Sequence, residues 1–259
     1  MNQVSARVVS NAEVTPGAYL LWLEAPEIAA AAQPGQFVMV RCANTLLRRP
    51  LSIHLVDSLT ASKQIALLYA VVGKGTQWLA AVTEGDKVDL LGPLGNSFSI
   101  LPDSSHLLLV SGGCGVAPLA FLAQKALAQG NKVTLLQGAA TAPKLHPEQL
   151  LPPRAKVVAA TDDGSAGQKG TVIDLLPDYL GKADQVFACG PTAMYQALLR
   201  QHQTRLKGRS IQVSLEVRMG CGIGACLGCT IKTKTGLKHV CQDGPVFELS
   251  DVILEEVKV

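Results

Sequence analysis

The sequence predicts a multi-domain protein of the β plus α/β class. It would have an N-terminal antiparallel β-barrel, a central doubly wound parallel α/β domain and a small C-terminal module that carries cysteines. Three observations predict this organisation. Short apolar runs separated by turn residues fill residues 1–101, strands alternate with helices over residues 102–210, and four of the seven cysteines lie close together within residues 211–259. We therefore expect three domains with these boundaries.

In the first region, short runs that are apolar, or that alternate between apolar and polar residues, predict β-strands. They span residues 18–24, 37–41, 52–56, 65–72 and 87–91, and Pro-Gly, Glu-Gly-Asp and Gly-Pro sequences separate them. Several short strands at close spacing are typical of a small barrel. One short helix is expected within the series, over residues 76–82.

The second region alternates strands with helices. The predicted strands are 107–110, 132–137, 156–160 and 185–188, with 211–215 as a candidate last strand, and the predicted helices are 118–129, 172–176 and 192–203. Such alternation is typical of a parallel sheet wound on both faces.

Composition excludes several classes of protein. The 259 residues include 48% hydrophobic and 4% aromatic residues, and the formal net charge is only +3 without basic runs. A nucleic-acid partner is therefore not indicated. The N-terminus has no apolar signal segment, and the longest clear apolar run, 65–72, is far shorter than a membrane span. We expect a soluble cytoplasmic protein that binds neither nucleic acid nor a membrane.

The clustered cysteines follow the spacing C-x4-C-x2-C-x11-C, and they are Cys221, Cys226, Cys229 and Cys241. The first three match the plant-type spacing of [2Fe–2S] proteins, in which four thiolates hold two irons. Intervening glycines leave the backbone free to approach the sulfurs and to donate N–H hydrogen bonds to them. A structural zinc site is the alternative, although zinc modules usually pair two C-x2-C units and this chain has one.

Two turns in the second region carry features of ligand-binding loops. One follows a strand, opens a helix and contains Gly112, Gly113 and Gly115; the other contains Cys189, Gly190 and Pro191 and also opens a helix. Helix N-termini at the carboxyl ends of parallel strands are favoured places for a dinucleotide pyrophosphate. The alternatives are an ordinary tight turn for the first, and a small buried thiol for Cys189.

Arg48 and Arg49 precede the sequence Pro50-Leu51-Ser52 at the start of a predicted strand, where an arginine could bind a pyrophosphate. In isolation, such a pair is usually solvent-exposed. The order of motifs, however, is similar to that of the ferredoxin–NADP reductase superfamily. With the cysteine pattern added, residues 5–249 resemble the electron-transfer subunits of dihydroorotate dehydrogenase B. The motifs are RRPLSI, VVGKGT, GPLGNSF, the glycine turn, TDDGS, CGP, LEVRMGCGIGACLGC and VCQDGPVF.

This resemblance implies an FAD-binding barrel at 1–101, an NAD-binding domain at 102–210 and a [2Fe–2S] module at 211–259. The FAD site would comprise Arg49, Pro50, Leu51, Ser52, Leu68, Tyr69, Ala70, Gly75 and Thr76, and the four clustered cysteines would hold the cluster. Three positions depart from the family pattern. Leu51 stands in a tyrosine position, Ala70 where a basic residue is common, and Cys114 where a third glycine is common.

The resemblance also implies a division of labour between two proteins. FAD would link the two-electron nicotinamide to the one-electron cluster. No Ser–His–Asp or Cys–His constellation is present, so we predict no catalytic side chain. The partner would be the FMN-containing catalytic subunit, in a heterotetramer of two of each, with electrons passing from dihydroorotate through FMN, cluster and FAD to NAD⁺. Alternatives are a hydrogenase-like or glutamate synthase-like partner, or a zinc-bearing interaction module.

Nucleotide choice is predicted from the residues that follow the strand at 156–160. Asp162 and Asp163 stand where NADP-selective members of the superfamily tend to have Ser and Arg. A carboxylate accepts a hydrogen bond from a free ribose 2′-hydroxyl but repels a 2′-phosphate. We therefore predict NAD(H) over NADP(H), with Asp162 in the site.

Overall fold

The computed structural model describes residues 1–57, 62–204 and 209–257. Its N-terminal part is a closed six-stranded antiparallel barrel with strand order β1-β2-β5-β4-β3-β6. The strands are β1 Asn2–Thr15, β2 Ala18–Glu24, β3 Phe37–Val40, β4 Arg49–Asp57, β5 Gln64–Ala70 and β6 Lys87–Leu94. Two short helices accompany them, α1 Pro26–Ala31 and α2 Lys74–Ala80. The predicted barrel, its five predicted strands and its helix are confirmed.

The longest strand of the barrel, β1, is absent from the sequence prediction. Only Ala6 and Val8 of its fourteen residues are buried, so it lacks the apolar alternation by which strands are recognised. It is held instead by pairing with β2 on one side and β6 on the other, which closes the barrel. Helix α1 was also missed, because six residues are too few to show a helical period.

The central part is a parallel sheet with strand order β10-β9-β8-β7-β11-β12. Its strands are β7 His106–Gly112, β8 Lys132–Ala139, β9 Lys156–Thr161, β10 Gln168–Lys169, β11 Gln185–Cys189 and β12 Ile211–Ser214. Its helices are α3 Val116–Ala128, α4 Leu176–Leu180 and α5 Thr192–Thr204. The predicted doubly wound sheet is confirmed. The order reverses between β7 and β11, the place where open α/β sheets bind ligands.

One helix of the central domain differs in type from the prediction. Residues 172–176 were expected to form an α-helix, but Val172–Leu175 form a 3-10 helix that continues into α4. Pro177, at the second residue of α4, lacks the N–H that an earlier α-helical turn would need. None of the helices within the described ranges is both long and apolar enough to cross a membrane.

The C-terminal part consists of a hairpin, a short helix and a strand that returns to the central sheet. These are β13 Thr230–Thr233, β14 Gly236–His239, α6 Val240–Asp243 and β15 Val246–Glu248. Strand β15 pairs antiparallel with β12, so the sheet has a seventh strand at that edge. The three domain boundaries stay predictions, and residues 205–208, beside the boundary at 210, lie outside the described residues.

The barrel and the central sheet meet along β4 and α3. The ring of His54 is fully buried there, and its Nδ1 lies 3.2 Å from the carbonyl oxygen of Ala117. The ring of His146 packs against it edge to face, with centroids 5.0 Å apart. Burial, aided by the neighbouring His146, lowers the pKa of His54 to about 3, and burial lowers the pKa of His146 to about 4. Both rings are therefore neutral at pH 7.

We predict that stability falls as the pH is lowered from about 6.5 towards 3, because the unfolded chain protonates His54 at its ordinary pKa of 6.5 and the folded chain does not. A fully titrating group of this kind contributes about 1.4 kcal/mol per pH unit. The variant His54→Asn cannot titrate, and its amide can still donate to Ala117. Its free energy of unfolding should therefore depend less steeply on pH between 4 and 6.5 in denaturant titrations. Equal slopes for the variant and the wild type would contradict the assignment.

Candidate functional site

A cleft of about 900 Å³ lies where the barrel, the central sheet and the segment before the cysteines meet. Pockets of this size accommodate large organic ligands. Most of the residues predicted to bind FAD line it: Arg49, Pro50, Leu51, Ser52, Leu68, Tyr69, Ala70 and Thr76. The ninth, Gly75, lies directly behind Arg49. The structure thus gathers around one cavity residues that are spread over two strands, β4 and β5, and helix α2.

The two adjacent arginines do different things. Arg48 is largely buried and forms a bidentate ion pair with Asp89 on β6, with N–O distances of 3.0 and 2.8 Å. It also donates to the main-chain oxygens of Met39 and Asp89. Arg48 therefore ties the start of β4 to β3 and β6. Both arginines line the cleft, and Arg49 lies against Gly75 of α2.

The start of α2 is shaped around Arg49. A Cβ atom at Gly75 would lie 2.8 Å from the Nε of Arg49, so any larger residue would displace the guanidinium. The hydroxyl of Thr76 is used within the turn, where it accepts hydrogen bonds from the N–H groups of Val72 and Gly73. What Thr76 offers a ligand is thus its position at the cleft wall rather than a free hydroxyl.

Tyr69 presents its ring, not its hydroxyl, to the cleft. Its hydroxyl donates to Asn11 at 3.1 Å, and burial raises its pKa. The amide of Asn11 in turn donates to the carbonyls of Leu79 and Val82 at the end of α2. This contact from β1 was not foreseen, because nothing local in a polar strand marks one asparagine as a helix cap.

The glycine turn and the Cys189 turn pack directly on each other. A Cβ at Gly115 would lie 2.0 Å from the carbonyl oxygen of Cys189, and one at Gly112 would lie 2.7 Å from Pro191. These two glycines are therefore required for contact between the turns. Gly113, with φ +54° and open space where a Cβ would be, remains free to approach a ligand. The sequence analysis had explained all three glycines by the need for the main chain to approach a pyrophosphate.

The Cys189 turn is fixed from beneath by Tyr195 of α5. The buried tyrosine hydroxyl accepts from the N–H of Gly190 at 3.0 Å and donates to the carbonyl of Ser214 at 2.6 Å. Cys189 is only 1% exposed, and burial raises its pKa well above the ordinary value. It does not line the cleft, whereas Cys114 does. The role of Cys189 in nucleotide binding stays a prediction.

Sequence reasoning missed one wall of the cleft, the segment that leaves β12 and enters the cysteine loop. It consists of Ser214, Leu215, Glu216, Val217, Arg218 and Met219. Burial raises the pKa of Glu216. Burial, and to a lesser extent the charge of Glu216, raises the pKa of Cys114 and of Cys189. The available signal was the pair of charged residues in the stretch LEVRM, directly before the cysteines.

Three of the four clustered cysteines lie in the loop before β13, and Cys241 lies in helix α6. The thiol of Cys221 interacts with that of Cys226, and the thiol of Cys241 interacts with those of Cys229 and Cys221. The N–H of Gly224 donates to the sulfur of Cys241 at 3.1 Å, which joins the loop to α6. Four thiols from residues 20 positions apart therefore converge, as the spacing predicts.

Main-chain N–H groups surround these sulfurs, although few come from the predicted glycines. Cys221 accepts from the N–H groups of Ile223 and Cys226, and Cys229 accepts from that of Cys241, each at 3.4 Å. Burial alone would raise the pKa of Cys221, but these hydrogen bonds outweigh it and lower the pKa to about 6. The loop thus stabilises the Cys221 thiolate, the form that ligates metal, whereas burial and the neighbouring Cys229 raise the pKa of Cys241.

The hydrogen bonds to the sulfurs test the fit to a two-iron cluster. A [2Fe–2S] cluster needs four thiolates, and main-chain N–H groups already donate to three of these four sulfurs, those of Cys221, Cys229 and Cys241. We propose Cys221, Cys226, Cys229 and Cys241 as the ligands of a [2Fe–2S] cluster.

The two acidic residues after β9, Asp162 and Asp163, differ in the hydrogen bonds that they form. The carboxylate of Asp163 accepts from the N–H and the hydroxyl of Ser165, at 2.9 and 2.6 Å, and these hydrogen bonds lower its pKa. Asp162 is exposed, and its main-chain N–H donates to the carbonyl of Ala139. Asp162 is therefore the carboxylate that we propose for ribose recognition.

Two protein-family models match the chain. The model described as the iron-sulfur cluster binding domain of dihydroorotate dehydrogenase B matches residues 216–253, and that described as the oxidoreductase NAD-binding domain matches residues 109–200. The first match includes the four cysteines and most of the unforeseen cleft wall. The second includes both turns at the switch point of the sheet.

Curated relatives extend the similarity to nearly the full chain. The electron transfer subunit of dihydroorotate dehydrogenase B (NAD(+)) from Desulforamulus reducens is 40% identical, over 96% of this chain and 98% of the relative. The subunit of the same name from Geobacillus thermodenitrificans is 39% identical, over 95% and 97% of the two chains.

Solved structures share the fold. A chain of the NADH-dependent reduced ferredoxin-NADP oxidoreductase, studied for flavin-based electron bifurcation, has a TM-score of 0.87 and 31% identity over 98% of this chain and 91% of its own. A ferredoxin NADP+ reductase from Neisseria gonorrhoeae, with bound FAD and NADP, has a TM-score of 0.64 and 18% identity over 82% of this chain and 98% of its own. The latter similarity concerns the fold alone.

We predict that Cys226→Ser removes the cluster and spares the flavin, because Cys226 is one of the four proposed ligands and does not line the cleft. Anaerobically purified wild type should contain about two irons per chain, and the variant far fewer. Absorption spectra and iron analysis measure both. Cys42→Ser is the control, since Cys42 is buried in the barrel core. Stoichiometric zinc in the wild type, or full iron content in Cys226→Ser, would refute the assignment.

Proposed function

This chain belongs to the family of electron transfer subunits of dihydroorotate dehydrogenase B (NAD(+)), and from that membership we propose how its parts cooperate. It is an oxidoreductase subunit that uses FAD, a [2Fe–2S] cluster and NAD. We propose that it receives electrons from the FMN of a catalytic subunit that oxidises dihydroorotate, and delivers them to NAD⁺ in pyrimidine biosynthesis. The assembly would be a heterotetramer of two subunits of each kind.

One observation carries this proposal: the wall of the cleft runs directly into the cysteine loop. Met219 lines the cleft, and Cys221 follows two residues later. Two residues span at most about 7 Å, so the first proposed cluster ligand lies close to the cavity. On the other side, Cys114 and Ala117 bring the dinucleotide turn to the same cavity. The proposed sites for the three redox groups would therefore border the same cavity.

The chain's own residues would bind and orient rather than react. When bound, FAD exchanges electron pairs with a nicotinamide and single electrons with a cluster. Arg49 would hold the pyrophosphate, and the apolar surfaces of Leu51, Leu68 and Tyr69 would exclude water from the ring system.

The surface around the cysteine loop favours contact with a second protein. Ile223 and Leu227 are 47% and 57% exposed, although both are large and apolar, and Cys226 between them is exposed as well. Exposed apolar groups beside a redox centre are suited to an interface, because electron transfer requires close approach. We propose that the catalytic subunit covers this loop.

A second candidate function rests on the similarity to the bifurcating oxidoreductase chain. That similarity covers nearly the whole chain at 31% identity, so a reductase subunit that serves another partner is the competing proposal. The greater identity to the dihydroorotate dehydrogenase B subunits, 40%, favours the first.

We predict that the wild type prefers NADH to NADPH, because the Asp162 carboxylate would repel a 2′-phosphate. Asp162→Ser should lower kcat/KM for NADH. It should also reduce the ratio of kcat/KM for NADH to that for NADPH by about tenfold, which is the effect of removing one charge interaction of about 1.4 kcal/mol. Steady-state diaphorase assays with both nucleotides measure this. Asp163→Asn is the matched control, since Asn can still accept the Ser165 hydrogen bonds. Equal kcat/KM for both nucleotides in the wild type would contradict the prediction.

We also predict that the isolated chain oxidises NADH with artificial acceptors but cannot oxidise dihydroorotate. The three parts account for the described residues, and no second flavin site is left among them for that substrate. Dihydroorotate-dependent reduction of NAD⁺ should appear when an FMN-containing catalytic subunit is co-expressed. Activity of the isolated chain with dihydroorotate would overturn the division of labour. Failure of the two proteins to associate would favour the alternative partner.

A further inference from the structure

Strand β4 connects the proposed flavin site with the boundary of the central domain. Its first residues, Arg49 to Ser52, line the cleft and pair with β3. Beyond Ile53, whose N–H donates to the carbonyl of Gln36 just before β3, this edge of β4 has left its partner strand and would have unpaired main-chain groups. Helix α3 covers it instead. The helix starts at the dinucleotide turn, so the two proposed cofactor sites lie on two elements that touch.

Gln124 of α3 takes the place of the missing strand. Its Oε1 accepts from the N–H of Val56 at 3.2 Å, and its Nε2 donates to the carbonyl of Val56 at 2.8 Å. A side-chain amide carries the same donor and acceptor as a peptide group, so one residue satisfies both main-chain atoms. The contact is partly buried, where water competes less for these groups.

His54 forms a second contact nearer the cleft. The pairing of β4 with β5 shifts by one residue between Ile53 and Leu55, which places His54 at a bulge. Bulges redirect a side chain, and here the imidazole lies beside α3. Because a carbonyl only accepts, Nδ1 of His54 carries the proton that is donated to Ala117. Ala117 itself lines the cleft.

The two contacts lie on one face of α3. Ala117 and Gln124 are seven residues apart, which is about two helical turns, or about 10 Å along the axis. Two contacts at that separation restrict both sliding and tilting of α3 along β4. Either contact alone would restrict these motions less.

We propose that Gln124 and His54 are positioning residues for hydride exchange, because they fix the dinucleotide turn at the start of α3 relative to the flavin-binding residues at the start of β4. This inference rests on the proposed function. Hydride exchange needs the reacting atoms about 3–3.5 Å apart, and a displacement of about 1 Å can lower a rate a hundredfold. Neither side chain needs to touch a cofactor for this effect.

The test compares Gln124→Met with Lys125→Met in the full-length, cofactor-loaded protein. Methionine preserves the length of Gln124 but forms neither hydrogen bond, while Lys125 is the exposed neighbour on the same helix. FAD reduction by NADH is followed anaerobically by stopped flow at saturating NADH, with FAD and iron content measured in parallel. Gln124→Met should reduce FAD about ten- to a hundredfold more slowly with unchanged cofactor content and NADH affinity. Lys125→Met should match the wild type.

Hydrogen–deuterium exchange gives a readout that does not depend on turnover. In Gln124→Met the amide of Val56 and the peptide covering 112–118 should both exchange faster. Gln124→Glu, which can accept from Val56 but not donate to it, should give intermediate values and serves if the methionine variant folds poorly. Faster exchange with a wild-type rate of FAD reduction would overturn the inference. No FAD reduction by NADH in the wild type would overturn the proposed function instead.

Discussion

The position of strand β12 is the constraint on which the candidate sites depend. It pairs parallel with β11 on one side and antiparallel with β15 on the other, so the chain that leaves it has a fixed origin and direction. The carbonyl of Ser214 is held by Tyr195, and the N–H of Leu215 donates to the carbonyl of Pro245. The following five residues therefore line the cleft and deliver the cysteine loop to its edge.

The cysteine loop is seated on the barrel as well as on the sheet. A Cβ at Gly222 would lie 2.5 Å from Met39, and one at Gly95 would lie 2.6 Å from Pro245. The side chain of Asn96 also donates to the carbonyl of Asp243 at 2.8 Å. Close main-chain contacts of this kind leave little freedom to shift the loop. A module that must exchange electrons over a short range gains from that rigidity.

Polar groups in the interior are divided between support and binding. Arg48, Thr76, Tyr69 and Tyr195 use their polar atoms to hold strands, turns and helix ends, and each stands next to a residue or turn that faces the cleft. Such supporting contacts restrict where the neighbouring groups can lie before any cofactor arrives. This explains why the chain can bind redox groups with few charged side chains inside the cleft. It also explains why the cleft residues alone give an incomplete description of the site.

The sequence by itself determined the order of the three parts, most of the strands and the convergence of the four cysteines. Those features follow from local patterns: apolar runs, turn residues and the ligand spacing of one loop. Only the tertiary structure decided that polar β1 closes the barrel, that β15 returns to the central sheet, and that residues 214–219 form a cleft wall. It also decided that, although both arginines line the cavity, Arg48 is paired with Asp89 while Arg49 lies against Gly75 of α2. The reason is physical. These outcomes depend on partners far away in the chain, such as Asp89 for Arg48, and a local pattern carries no record of which distant residue will supply the contact.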